Sequence, residues 1–238
     1  MNILITGASK GIGKAMSNKF CQSGNNRLFL VSRDLKLLED IKNQCFKTNS
    51  HSELYLYPFD LSNSDDLKML ADKIIMDAGK IDIMINNAGS LYNKRFWEIS
   101  QAEIYSMFQV NFFAPAGLIR LLIPALTKSE KAHVVNIGSM GGFQGSSKYP
   151  GLAYYSASKA ALAVLTECLA EEFKDLPIAF NCLALGAVQT EMFSAAFPGA
   201  TAPVDANEMA DYIVDFAQNA HHRFNGKIIP VILQKTDN

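Results

Sequence analysis

Short apolar, β-branched runs recur along this chain, and longer stretches with apolar residues at helical spacing separate them. The runs cover residues 3–5, 28–31, 54–59, 81–85, 133–137, 178–183 and 228–233. Between them lie sets such as Leu35, Leu38, Ile41 and Cys45, then Leu67, Leu70, Ile74 and Ile75. Residues three and four apart share one face of a helix, so these sets predict amphipathic helices. Strand alternating with helix predicts an α/β, Rossmann-like architecture, a doubly wound parallel sheet with helices on both faces. Parallel strands place their C-terminal ends on one edge, and ligands bind at that edge. Ser100 with Glu103, and Asp205 with Glu208, carry the capping-box spacing that starts a helix.

At 238 residues, with 49% hydrophobic and 19% charged residues, the chain suits one globular domain, 1–238. A formal net charge of −1 supplies no field for nucleic acid or an anionic membrane. Polar residues interrupt the apolar stretches before the roughly 20 positions that span a bilayer. Met1 to Gly7 lacks the basic start and cleavage site of a signal peptide and reads as a strand. The expectation is therefore a cytoplasmic protein with neither a nucleic-acid nor a membrane partner. Cys21, Cys45, Cys168 and Cys182 form no C-x-x-C pair and read as packing cysteines, and no histidine stands at metal-ligand spacing. His221 and His222 read as surface residues, and no metal site is expected.

Thr6-Gly7-Ala8-Ser9-Lys10-Gly11-Ile12-Gly13 follows the first strand and opens a helix. Glycines there permit a tight turn and close backbone approach, and a pyrophosphate then sits on the helix N-terminus. A plain glycine turn is the bland reading, and the flanking strand and helix argue against it. About twenty residues on, a dinucleotide fold places the group that reads the adenine ribose. This chain has Ser32-Arg33-Asp34 at that point. Asp34 has a structural explanation as the N-cap of the next helix. Arg33 can grip a 2′-phosphate with two N–H groups, and Lys10 can reach the same phosphate. The pair favours NADP over NAD.

Tyr155 and Lys159 lie four apart in a predicted helix over residues 152–173, so they share a face. A nearby ammonium lowers a phenol's pKa from about 10 toward the range where it serves as a proton donor. Tyr154 points elsewhere. Asn86-Asn87-Ala88-Gly89 and Asn136-Ile137-Gly138-Ser139 end the fourth and fifth strands, beside any bound dinucleotide, and Ser139 can hydrogen-bond a carbonyl oxygen. Asn111 falls inside the helix that starts near Ser100, where asparagine is a poor structural choice.

With these motifs in place, the chain resembles a single-domain short-chain dehydrogenase/reductase across essentially its whole length. Thr6 to Gly13 matches the family's T-G-x-x-x-G-x-G start, Asn86 to Gly89 matches N-N-A-G, and Asn111, Ser139, Tyr155 and Lys159 match the catalytic set. The resemblance implies a seven-stranded sheet, NADP(H), and hydride transfer between the cofactor and a carbonyl or alcohol. It implies cofactor contacts from Gly7, Ser9, Lys10, Gly11, Ile12, Gly13, Arg33, Asp60, Leu61, Asn86, Ala88, Gly89, Tyr155, Lys159, Val188 and Thr190. Asp60 and Leu61 would lie beside adenine, and Val188 and Thr190 would hold the nicotinamide amide. Lys159 would bind the ribose and Asn111 a relay water. It also implies a homodimer or homotetramer through the helices over 100–126 and 152–173. Three departures stand out. Leu185 replaces the usual proline before Gly186, the interval from Ser139 to Tyr155 is long, and the common glycine-rich ending is missing. The extra length falls in Gly145-Ser146-Ser147-Lys148-Tyr149-Pro150.

Leu91, Tyr92, Met140, Phe143, Tyr149, Phe193 and Phe197 form an expected apolar and aromatic lining for a small carbonyl or alcohol substrate; core packing is the bland alternative for several. The segment over 191–203 reads as a loop or short mobile helix closing over the site. Two rivals accompany the NADPH-dependent carbonyl reductase: the same enzyme running in reverse, with NADP oxidising an alcohol, and a non-catalytic NADPH-binding sensor or partner protein on the same fold. A pure binder has no need of the phenol–ammonium pair.

Overall fold

The computed structural model describes residues 1–48 and 50–233. In chain order β1 (Asn2–Thr6) leads to α1 (Gly11–Gln22), β2 (Arg27–Ser32) to α2 (Leu35–Lys47), and β3 (Glu53–Pro58) to α3 (Asp66–Ala78). Then β4 (Ile83–Asn86) leads to α4 (Gln101–Phe108) and α5 (Ala114–Leu126), and β5 (Ala132–Ser139) to α6 (Ala153–Glu172). β6 (Ile178–Leu185), β7 (Val188–Gln189), α7 (Glu191–Ala196), β8 (Val204–Asp205), α8 (Ala206–Asn219) and β9 (Lys227–Val231) complete the order. Seven strands form one parallel sheet in the order β3-β2-β1-β4-β5-β6-β9. All seven are the expected strands. The order turns back between β1 and β4, and that switch point opens a crevice at the strand C-termini.

Strand periodicity divides the core. Ile3 and Ile5, Leu28 and Leu30, and Ile83 and Ile85 point to one face, where Met16, Phe20, Leu38, Ile41 and Ile213 of α1, α2 and α8 cover them. Leu4, Phe29, Val31, Met84 and Val134 point to the other, against Leu67, Leu70, Ile74, Leu118 and Leu122 of α3 and α5. Both faces are dry, which is why the strands read as near-continuous apolar runs. The predicted capping boxes at Ser100–Glu103 and Asp205–Glu208 are both present, and Asp34 caps α2 by accepting from the Leu37 amide.

Four expectations need correction. The helix around Asn111 is not continuous, because Gln109–Phe113 is a π-helical turn between α4 and α5. Met107, Leu118 and Leu122 flank it in the core, and α-helical winding through Asn111 would break the contacts made by its side chain, described below. The stretch Gln101–Leu126 is long and apolar enough to cross a membrane by length and composition, contrary to the reading of interrupted apolar runs. Within the fold its apolar face packs on α3 and the sheet. Cys21 of α1 and Cys45 of α2, expected only to pack, are joined as a disulfide with their Cα atoms 6.0 Å apart. Such a bond persists mainly in oxidising compartments. Finally, His221 is no free surface residue. It is half-buried, its ring 5.5 Å from that of fully buried His133, because α8 ends against β5 there.

Candidate active site at the sheet switch point

The glycine loop and the strand-end loop of β4 are locked together before any ligand is considered. The Thr6 hydroxyl accepts from the amides of Asn87 and Ala88, both at 3.1 Å. The Asn87 side-chain Nδ2 donates to the carbonyls of Thr6 at 3.0 Å and Gly7 at 3.1 Å. Thr6 and Asn87 thus set the loop shape, a role that motif matching alone did not assign. At Gly13 a Cβ would lie 2.0 Å from the Gly7 carbonyl oxygen, so only glycine allows α1 to begin this close to β1. The first turn of α1 has no side-chain cap, which leaves its amides for an anion.

A second lock joins the adenosine side. Ser9 and Ser32 share a hydrogen bond of 2.6 Å, and the Ala8 amide donates to the Val31 carbonyl at 3.1 Å. Lys10 and Arg33 each directly follow one of the bonded serines, so the two cations rise from adjacent points of the backbone. Both are exposed, and neither forms an ion pair among the described residues. Two free cations beside the end of β2 suit a 2′-phosphate. Asp60 accepts from the Ser62 amide at 2.9 Å and shapes its own turn. The side chains of Leu61 and Val188 are buried in the core, so these two could meet a cofactor only through their backbone.

The catalytic candidates converge on Gly89. A Cβ there would stand 3.5 Å from Asn111 Oδ1 and 3.7 Å from Lys159 Nζ. Asn111 is fully buried. Its Nδ2 donates to the Ser90 carbonyl at 2.9 Å and to Ser158 Oγ at 3.0 Å, while its Oδ1 accepts from the Ser90 amide at 2.8 Å. Both of its N–H groups are used, so a relay water held by Asn111 must be held by an oxygen. Asn86 donates to Asn136, which donates to Thr166 of α6. Asn86 Oδ1 is buried without a partner among the described residues, one polar group here able to receive a donor.

Lys159 is 4% exposed, and its Nζ donates to the Ile137 carbonyl at 2.8 Å. Burial pushes its pKa down to about 8, opposed by the nearby Cys182 sulfur. Burial pushes the Tyr155 phenol up, and a hydrogen bond from Ser139 pulls it back. The expected lowering of the phenol by Lys159 does not appear in this geometry: burial raises it, and the Lys159 ammonium is bonded to the Ile137 carbonyl. Tyr154 faces elsewhere, its ring stacked on Phe96 with centroids 5.0 Å apart.

Leu185, in place of proline, keeps β6 paired with both β5 and β9 to its last residue. A proline has no amide hydrogen for such a ladder. Thr190 caps α7 through its hydroxyl, which accepts from the Phe193 amide, and its methyl lies against Gly11. The Asn93 side-chain amide donates to the Ala196 carbonyl at 2.9 Å and holds α7 against the segment after β4. None of the seven expected lining residues belongs to the buried core; all are at least partly exposed. A separate cavity of about 380 Å³ lies where Lys14, Asn18, Glu191 and Asn207 meet, and it contains none of Ser139, Tyr155 and Lys159.

Comparison with known proteins agrees with this geometry. Residues 1–200 match the short chain dehydrogenase family. An uncharacterized oxidoreductase of Mycobacterium tuberculosis is 32% identical over 231 residues, covering 93% of this chain and 66% of that protein. Dehydrogenase/reductase SDR family member 7B of Xenopus laevis is 31% identical over 194 residues, 80% of this chain and 59% of that protein. The chain thus spans about two thirds or less of the length of these relatives. Among solved structures, a chain of Escherichia coli CFT073 complexed with NADPH superposes with a TM-score of 0.86 at 26% identity, over 96% of this chain and 95% of that one. The Pseudomonas aeruginosa RhlG/NADP active-site complex gives 0.84 at 25% identity, over 97% and 94%. With its seven-stranded sheet, its strand-end motifs and these matches, the chain belongs to the short-chain dehydrogenase/reductase family of oxidoreductases.

Proposed function

We propose that the chain is an NADPH-dependent reductase of a small, largely apolar carbonyl compound, with Tyr155 as the proton donor. The observation that carries this reading is the meeting of Asn111 and Lys159 at Gly89, on the sheet edge where β5 ends at Ser139 and where the unpaired Lys10 and Arg33 stand. The fit to NADP(H) rests on this chain's own groups: uncapped α1 amides for the diphosphate and two free cations for the 2′-phosphate. The NADPH and NADP complexes of the two structural relatives support the same choice.

Held by the α1 amides, Lys10 and Arg33, NADPH when bound would supply the hydride that the carbonyl carbon accepts. Ser139 donates a hydrogen bond to the carbonyl oxygen and holds it beside Tyr155. Tyr155 transfers its phenolic proton to that oxygen as the C–O double bond becomes single, leaving a phenolate. Lys159, its ammonium held on the Ile137 carbonyl and close to Gly89, would bind the nicotinamide ribose of the cofactor beside the reacting atoms. The reverse oxidation uses the same groups in reverse order.

The test is a panel of carbonyl compounds followed through NADPH absorbance. A positioned general acid contributes about 10²–10⁴-fold in rate, so Tyr155→Phe should lose that much in kcat with dinucleotide affinity retained. Tyr154→Phe, on the other side of α6, should be near wild type. Turnover that survives in Tyr155→Phe and vanishes in Tyr154→Phe would overturn the assignment.

A further inference from the structure

The long interval between Ser139 and Tyr155 is largely exposed, yet it closes back on the turn that directly follows Ser139. Its centre is Lys148, whose Nζ donates to Ser146 Oγ at 2.8 Å, to the Gly141 carbonyl at 2.9 Å and to the Phe143 carbonyl at 2.6 Å. Three oxygens therefore converge on one ammonium, the full donor capacity of a lysine. The Ser146 hydroxyl is bonded in turn to the Met140 carbonyl oxygen and lies 2.9 Å from that of Phe143. The Met140 carbonyl belongs to the same peptide group as the Gly141 amide. That amide donates to Ser139 Oγ at 3.1 Å.

These contacts form a directed chain. The Lys148 ammonium donates to the Ser146 hydroxyl, that hydroxyl to the Met140 carbonyl, and the opposite end of the same peptide group to the Ser139 hydroxyl. Each donor in such a series polarises the next, and a charged first donor strengthens all of them. The Gly141 amide occupies one lone pair of Ser139 Oγ, which turns the hydroxyl hydrogen away from the loop and toward the reacting oxygen. We propose that Lys148 and Ser146 are positioning residues that aim and polarise the Ser139 hydroxyl through the Met140–Gly141 peptide. This inference rests on the reading of Ser139 and Tyr155 given above. It assigns a function to the extra length of this chain, which otherwise would be a surface loop.

The experiment reads Tyr155 directly and needs no substrate. Protein labelled with carbon-13 at the tyrosine ring Cζ is titrated from neutral to alkaline pH, and the Tyr155 resonance is identified by its loss in Tyr155→Phe. Ser139→Ala should move the Tyr155 midpoint upward, since it removes the final donor. Lys148→Met and Ser146→Ala should each move it in the same direction by a smaller amount, roughly half a unit. Ser146→Thr, which keeps the hydroxyl, should restore the wild-type midpoint. A purely structural loop contact would lower the melting temperature of Lys148→Met and leave the Tyr155 titration unchanged. That result, with Ser139→Ala still shifted, overturns the proposal while the reading of the active site stands. If Ser139→Ala leaves the midpoint unmoved, the chain has no terminus at Tyr155, and both the relay and the role of Ser139 fail together.

Discussion

Replacing Lys159 with methionine should stabilise the folded chain while removing its activity. The side chain is 4% exposed, and burial brings its pKa from the ordinary 10.5 down to about 8. At 1.36 kcal/mol per unit, holding this ammonium in the fold costs about 3 kcal/mol at neutral pH, where it is charged in both the folded and unfolded chains. Methionine keeps most of the volume and needs no hydration. It gives up the bond to the Ile137 carbonyl, worth about 1 kcal/mol. The net expectation is a gain of about 2 kcal/mol at pH 7. The sign of the pH dependence follows from the depressed pKa. Between about 8 and 10.5 the unfolded lysine still holds its proton and the folded one has lost it, so wild-type stability gains from rising pH across that window. The variant has no such gain, so its advantage should shrink by about 1.36 kcal/mol per unit above pH 8, vanish near about pH 9.5 and turn into a deficit of about 1 kcal/mol by pH 10.5. Tyr57, whose pKa is raised by burial and by Asp77, titrates in both proteins and cancels in the difference. Urea denaturation at a series of pH values, without added dinucleotide, reads this difference. A variant less stable than wild type at neutral pH, or an advantage that does not narrow with pH, would refute the argument.

Three further outcomes are expected. Lys10→Ala with Arg33→Ala should remove about 1.5–3 kcal/mol per lost charge-assisted contact and bring NADPH affinity close to that for NADH; a wild type that binds NADH more tightly would sink the 2′-phosphate assignment. The exposed Tyr105, Phe113 and Val164 on α4, the π-turn and α6, at 66%, 54% and 56% exposure, should be covered in a homodimer or homotetramer, and light scattering that gives only the monomer mass at micromolar protein would exclude it. His133, fully buried and bonded to the Ala217 carbonyl and the Asn181 amide, has its pKa pushed by burial down to about 4. Its stabilising contribution is present above the ordinary histidine range and is lost as pH falls toward 4, so its ring resonance should stay unprotonated at pH 5.5, and a midpoint near about 6.5 would contradict it.

What was legible in the sequence was what periodicity and local chemistry control. Seven apolar runs gave the seven strands because both faces of the sheet are covered, and the few polar residues inside them, His133, Asn136 and Asn181, are buried with hydrogen-bond partners. Caps at Asp34, Ser100 and Asp205 were readable because a cap is satisfied within four residues. The π-turn at Asn111 was not, because its cause lies 21 residues away in the Ser90 backbone and 47 away in Ser158. The pairing of Cys21 with Cys45 depends on how α1 packs on α2, which spacing along the chain does not encode. The half-burial of His221 likewise depends on β5 delivering His133 beneath it. Phenol and ammonium on one helical face were legible; the partner that each would choose was not, since the Ile137 carbonyl and the Ser139 hydroxyl arrive from the neighbouring strand.

That last difference bears on how the site is built. Four residues along a helix bring Tyr155 and Lys159 to the same side, but the polar network around them fixes their state. Ser139 is held from below by the Gly141 amide, Lys159 by Ile137, and Asn111 by both polar groups of Ser90. Each of these partners is backbone, and each lies at a strand end or in the loop that follows one. Backbone donors and acceptors lose little freedom on folding and cannot swing away, so they hold a reacting group in place at small entropic cost. Side-chain substitutions at the supporting positions therefore leave these particular bonds intact, and the site is most vulnerable where a side chain carries the support. Thr6 and Asn87 in the nucleotide loops, and Ser146 and Lys148 in the long loop, are those places.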